Sequence, residues 1–156
     1  MTMQFSVSNR INPLGFRVMH KAISDKVSVG GQPRVPDFEE LKKDGVKTVV
    51  NLRVAGENSP LTPIEERALA ENLGFQYHHI PISLDDLAPA QVKELREILQ
   101  NSQGPVFVHC GMGQRACSFS LAASGVEADL IFERSQQLGF PVEDERLAAF
   151  LRSLGK

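Results

Sequence analysis

With 156 residues, 42% of them hydrophobic and 23% charged, the chain has the size and composition of one globular domain that can bury a core. A formal net charge of −2 gives no global field to recruit nucleic acid or an anionic membrane, so neither is expected as a partner. Two cysteines, Cys110 and Cys117, are too few for a disulfide framework, and no apolar run is long enough to span a bilayer.

Residues Met1 to Ser24 carry little pattern. Asn12-Pro13 and Gly15 mark turns, Phe16 and Val18 are candidates to pack on the main body, and Met1 to Asn12 lacks the apolar centre of a secretory signal. The default location is therefore cytoplasmic, with the periplasm as the alternative had a leader been removed. Asp25 to Val29 predicts a strand, stopped by Gly30-Gly31-Gln32-Pro33. Pro36 opens a short helix that buries Phe38 and Leu41 and ends at Gly45. Val46 to Leu52, rich in β-branched residues, predicts a strand, with Arg53 directly after it and a loop from Val54 to Pro60.

Thr62, Pro63 and Glu65 are the cap, first-turn proline and capping-box acid of a helix that runs to Leu73 and Gly74. Phe75 to Ile82 predicts another strand, in which one of His78 and His79 should face the core and the other solvent. Ser83 to Leu87, with Asp85 and Asp86, is a loop. Pro89 then opens an amphipathic helix with Val92, Leu95, Ile98 and Leu99 on one side. Val106-Phe107-Val108 predicts a buried strand, and Arg115 to Ser124 a helix closed by Gly125. Two further helices, about Glu127 to Leu138 and Glu143 to Leu154, should cover one flank with Leu130, Ile131, Leu138, Leu147, Phe150 and Leu151.

Strands alternating with helices predict a single α/β domain over residues 1–156: three layers, with a mostly parallel central sheet flanked by helices. In such sheets the ligand crevice lies beyond the carboxyl ends of the strands, where Arg53, the Asp85–Asp86 loop and the Cys110 loop would converge.

The chemistry concentrates between the Val106 strand and the helix after it. A tight loop through Cys110, Gly111, Met112, Gly113 and Gln114 would turn backbone N–H groups inward, with the side chains of Met112 and Gln114 at its mouth. The helix start adds its positive end, which makes a cradle for a tetrahedral oxyanion. Arg115 supplies a planar fork for two oxygens of one phosphate. The same field favours an ionised sulfur on Cys110. The plainer readings are a buried hydrophobe at Cys110 and a surface cation at Arg115. Cys117 reads as a packed helix residue, with a resolving thiol as the alternative. Four histidines without a paired spacing suggest no metal site.

Val108-His109-Cys110-Gly111-Met112-Gly113-Gln114-Arg115 resembles the phosphate loop of the protein tyrosine phosphatase superfamily, one residue short between Gly113 and Arg115. Bacterial phosphatase-like domains, found alone or fused to β-lactamase-like hydrolases, share the shorter spacing, and so do rhodanese sulfurtransferases. Gly31-Gln32-Pro33, Val49 to Arg53 and Tyr77 to Pro81 recur in order in the bacterial phosphatase-like family, whereas rhodaneses do not carry these segments. The order of elements also resembles that of dual-specificity phosphatases.

The resemblance implies a phosphatase-type fold and a phosphomonoester substrate, on a protein or a small molecule. Cys110 would be the nucleophile, Arg115 and the loop amides the phosphate clamp, His109 a structural support of the loop, and Arg53 a substrate or loop contact. The proton donor would be a carboxylate on the loop before the Pro89 helix: Asp86, which aligns slightly better with the superfamily, or Asp85, with Glu57 on the Arg53 loop third and a solvated turn as the plain alternative. No metal or organic cofactor is required. Ala116 stands where the superfamily commonly has a hydroxyl residue, so turnover should be slow unless Ser118 reaches back. With no Trp and a single Tyr, no stacking wall for a phosphotyrosine ring is evident. The rival readings are a persulfide on Cys110 in a sulfurtransferase and a phosphate-binding module without turnover. Nothing in the sequence sets an oligomeric state.

Overall fold

The computed structural model describes residues 20–155. The turns expected at Asn12-Pro13 and Gly15, and the packing expected of Phe16 and Val18, lie outside them. In chain order the elements are β1 (His20–Ala22), β2 (Val27–Gly30), α1 (Val35–Lys43), β3 (Thr48–Asn51), α2 (Pro63–Asn72), β4 (Gln76–His79), α3 (Pro89–Asn101), β5 (Val106–His109), α4 (Gln114–Ala123), α5 (Ala128–Gln137) and α6 (Glu145–Ser153).

The sheet order is β1-β2-β5-β3-β4. Among the described residues only β1 runs antiparallel, against β2; the other pairings are parallel. Register brings the strand ends level: Gly30 and Asn51 both pair with His109, and Asn51 also pairs with His79. Whatever follows these four residues therefore emerges at one edge, with the Cys110 loop at its centre because β5 lies between β2 and β3.

Side chains alternate across the sheet, and two cores form. Val27, Val29, Val50, Val106 and Val108 face α3 to α6 through Leu95, Phe119, Ile131 and Leu147. Val49, Tyr77 and Phe107 face α1 and α2 through Phe38, Leu41 and Ala70. The result is the expected three-layer α/β arrangement.

Most predicted elements form with shorter ends, for local reasons. The strand expected from Asp25 starts at Val27 because Ile23 and Ser24 donate backbone bonds to the Val27 carbonyl, closing the β1–β2 turn (2.9 and 3.3 Å). The strand expected to Ile82 ends at His79, before Pro81, although Ile80 still donates to the Asn51 carbonyl at 2.9 Å. Thr62 and Glu65 form the reciprocal capping box: Glu65 N–H reaches Thr62 Oγ1 at 3.1 Å, and Thr62 N–H reaches Glu65 Oε1 at 2.9 Å. His78 and His79 do not divide between core and solvent; both are half-buried. His79 Nε2 lies 2.5 Å from the Arg53 carbonyl, tying β4 to the loop after β3.

Candidate active site

The Cys110 loop is built between two fixed ends. At its start, Cys110 N–H donates to the Gly30 carbonyl (3.2 Å), and the Gly111 carbonyl accepts from Gln32 N–H (2.9 Å). Gly31 is needed there, since a Cβ on it would lie 2.8 Å from the Gly111 oxygen. At its end, Gly113 has φ +107° and caps α4, and a Cβ on it would meet the Phe140 ring at 2.4 Å. The peptide is thereby turned so that amides face the sulfur. Gly113 N–H points at Cys110 Sγ (3.1 Å) and Ala116 N–H does so at 3.4 Å. Cys110 is 1% exposed at the foot of a cleft of about 730 Å³.

Beneath the loop lies a buried polar network that the sequence reading missed. Glu66, fully buried in α2, takes three donors: His109 Nε2 at 2.5 Å, Gln32 Nε2 at 2.7 Å and the Tyr77 hydroxyl at 3.0 Å. Asn51 Nδ2 donates to the Tyr77 oxygen (2.9 Å), and Asn51 Oδ1 accepts from Arg53 N–H (2.8 Å). Burial opposes the charge on Glu66, but the facing His109 and these hydrogen bonds outweigh it and hold the carboxyl below its usual range. Burial and the neighbouring Glu66 push the Tyr77 hydroxyl up, so it stays a donor. His109 thus has the supporting place expected of it. Its Nδ1 faces the Cys110 carbonyl at 3.3 Å, and both ring nitrogens meet acceptors.

Arg115 reaches across the cleft. Its Nη1 and Nη2 each lie 2.8 Å from a Glu57 oxygen, and Nη1 also donates to the Ile82 carbonyl at 2.9 Å. Glu57 is therefore held low, first by the Arg115 hydrogen bonds. Both of its oxygens are engaged by that arginine, whereas Asp85 meets Arg146 through one. Arg115 is pushed up by the same bonds, with the nearby Cys110 sulfur adding to the effect. Arg53 is buried and donates to the Asn58 carbonyl at 2.6 Å, bracing the loop that carries Glu57.

The cleft brings together Cys110, Gly111, Met112, Gln114, Arg115, Arg53 and Asp85. Met112 stands 89% exposed at the mouth. Gln114 lines the cleft, but its side-chain oxygen is engaged by the N–H groups of Glu143 and Asp144, at 3.0 and 3.1 Å. Asp85 and Asp86 part company. Asp85 lines the cleft and contacts Arg146 from α6; Asp86 is exposed and not part of the lining. Ser118 does not reach back to the sulfur, because its hydroxyl donates to the Gln114 carbonyl at 2.9 Å. Cys117 packs against Ser135 (Sγ to Oγ 3.6 Å), and burial pushes its thiol up, which suits a packed residue. Among the described residues, no group of three or more His, Cys, Asp or Glu could hold a metal ion, and no helix is long and apolar enough to cross a membrane.

A cysteine ringed by amides at the carboxyl end of a central parallel strand, answered by an arginine one helical turn later, matches a known family across residues 19–126. The chain belongs to the phosphatase-like domain family of the β-lactamase hydrolase-like proteins. The family's description, a phosphatase-like domain, agrees with the resemblance carried by the Cys110 loop. A β-lactamase hydrolase-like protein of Agrobacterium fabrum is 30% identical over 107 residues, which is 67% of this chain and 25% of that protein. The chain thus spans about a quarter of that relative's length. Among solved structures, TpbA of P. aeruginosa in complex with pTyr superposes with a TM-score of 0.69 at 22% identity, covering 92% of this chain and 87% of TpbA. Tk-PTP in its active form gives 0.67 at 21%, covering 86% and 95%. At these identities the two structures speak for the shared fold.

Proposed function

We propose that this phosphatase-like domain acts as one catalytic unit that hydrolyses phosphomonoesters through a phosphocysteine on Cys110. The observation that carries the reading is the pair of backbone N–H groups, from Gly113 and Ala116, aimed at the buried sulfur. Donors fixed in this way favour negative charge on the sulfur and, around it, on the oxygens of a bound phosphoryl group. The thiolate attacks phosphorus and the bond to the leaving oxygen breaks, while Arg115 and the loop amides take the equatorial oxygens. Asp85 protonates the leaving oxygen; what supports it over Asp86 is its place in the cleft wall. Water then attacks the phosphocysteine with the same carboxylate as base, releasing phosphate and the thiolate.

Among the described residues the cleft wall has no aromatic ring; Val54, Leu84 and Met112 are its apolar members. That favours a phosphorylated side chain or small metabolite held by aliphatic contact over one held by ring stacking. TpbA binds phosphotyrosine in its structure, so a phosphoprotein substrate belongs in the same test.

The test is hydrolysis of para-nitrophenyl phosphate with acid-quench trapping of the cysteine adduct. The wild type should release phosphate and carry a phosphoryl adduct on Cys110, and Cys110→Ser should do neither. Wild-type rates in Cys110→Ser, or sulfur transfer from thiosulfate to cyanide in place of phosphate release, would overturn the proposal.

A further inference from the structure

Helix α6 reaches the cleft through a half-exposed arginine. Arg146, in the first turn, lines the cleft beside Asp85. Two of its nitrogens are fixed by one carboxylate: Nε lies 3.1 Å from Asp144 Oδ1, and Nη2 lies 2.7 Å from Oδ2. The remaining fork nitrogen, Nη1, donates to Asp85 Oδ1. Asp144 is itself fixed as the cap of α6, accepting from the N–H groups of Arg146 (2.9 Å) and Leu147 (3.3 Å). It is held low, first by Arg146, at about 2. The cap is in turn tied to the Cys110 loop, because Gln114 Oε1 accepts from the Glu143 and Asp144 N–H groups.

We infer that Arg146 is a positioning residue that aims the Asp85 carboxyl over the Cys110 loop, with Asp144 and Gln114 as its anchors. The inference rests on the proposed role of Asp85 as proton donor. Asp85 is 83% exposed in its side chain, on a loop tied locally through the backbone, by Asp85 N–H to Ser83 Oγ at 3.2 Å and Asp86 N–H to the Ser83 carbonyl at 3.0 Å. Left alone, such a side chain visits several staggered rotamers, only some of which turn toward the cleft. The guanidinium removes that freedom, and its chain of contacts leads back to the loop that holds the phosphate. Geometry is thereby set by one connected unit, and that is what proton transfer to a leaving oxygen requires.

Leaving-group dependence tests the assignment. Phenyl phosphate needs a proton on its leaving oxygen, whereas dinitrophenyl phosphate departs as a stable anion. Arg146→Gln should lower kcat on phenyl phosphate by about tenfold or more, up to the roughly 10²–10⁴ that a positioned acid supplies in all, and lose far less on dinitrophenyl phosphate. Arg146→Lys should fall between. In an Asp85→Asn background, Arg146→Gln should add no further loss. Equal losses on the two esters, no loss, or a full further loss in Asp85→Asn would overturn the inference. If Asp85→Asn shows the leaving-group signature and Arg146→Gln does not, the inference fails alone. If Asp85→Asn hydrolyses phenyl phosphate like the wild type, or the wild type turns over neither ester, the proposed reading fails and takes the inference with it.

Discussion

Glu66 offers the sharpest test of what holds the Cys110 loop. Glu66→Gln keeps the volume but leaves one acceptor oxygen where the carboxylate has two. Three donors converge there, His109 and Tyr77 on Oε2 and Gln32 on Oε1. If the amide oxygen takes the Oε2 place, its NH₂ faces the NH₂ of Gln32; in the other orientation it faces both His109 and Tyr77. The best case therefore loses one hydrogen bond to a charged group, about 1.5–3 kcal/mol, and the negative charge that faces His109 as well. Breaking such a pair typically costs roughly 3–5 kcal/mol, and that range is the expected destabilisation. For a domain of this size each kcal/mol lowers Tm by about 2–4 °C, so the variant should melt roughly 6–20 °C below the wild type. Thermal unfolding followed by circular dichroism reads this directly, and iodoacetamide labelling of Cys110 reports whether the loop loosens with it. In a double-mutant cycle with His109→Ala, the two losses should fall well short of their sum. A Glu66→Gln protein that melts within about 2 °C of the wild type would refute the reasoning, since even one lost charged bond predicts more.

Gly113→Ala should lose about 1–2 kcal/mol from its left-handed backbone alone and more from the Phe140 ring, as measured by urea unfolding. Adding Phe140→Ala should relieve the steric part, and strict additivity of the two substitutions would show that the contact is immaterial. Ala116→Ser supplies a hydroxyl beside the sulfur, which should speed breakdown of the phosphocysteine by roughly tenfold or more if it bonds the departing thiolate. Stopped-flow traces should then show a smaller burst and a faster steady state; an unchanged ratio of the two phases would count against the idea. His20, buried with neither ring nitrogen partnered among the described residues, is pushed down to about 4 by burial. The unfolded chain takes up that proton near pH 6.5 and the folded chain only near 4, so stability falls as pH drops through this window, by about 3 kcal/mol at full effect. His20→Phe should flatten urea midpoints measured between pH 7 and 4.5; parallel slopes for the two proteins would rule the mechanism out.

The parts of the site legible in the sequence are those in which backbone chemistry dictates residue type. Gly111, Gly113 and Arg115 after a β-branched run announce a loop and a helix start, and Thr62-Pro63 with Glu65 announces a cap. Sheet order was not legible, because nothing in β5 itself says that it inserts between β2 and β3. β1 escaped notice because His20-Lys21-Ala22 is three residues without a β-branched side chain, held only by pairing with β2. Glu66 stands beside Glu65, and the capping box explains an acid there without hinting that the next one is buried. Arg146 likewise adjoins Leu147, whose burial dominates the reading of α6. The choice between Asp85 and Asp86 turned on side-chain direction in an irregular loop, which spacing does not encode.

Arg115 meets any incoming anion with both prongs of its fork already in the grip of Glu57. Three of its five N–H donors are engaged, two by Glu57 and one by the Ile82 carbonyl, and the others remain for oxygens arriving from the cleft. The plane of the guanidinium is therefore set before any ligand arrives, and little side-chain freedom is left to lose when one does.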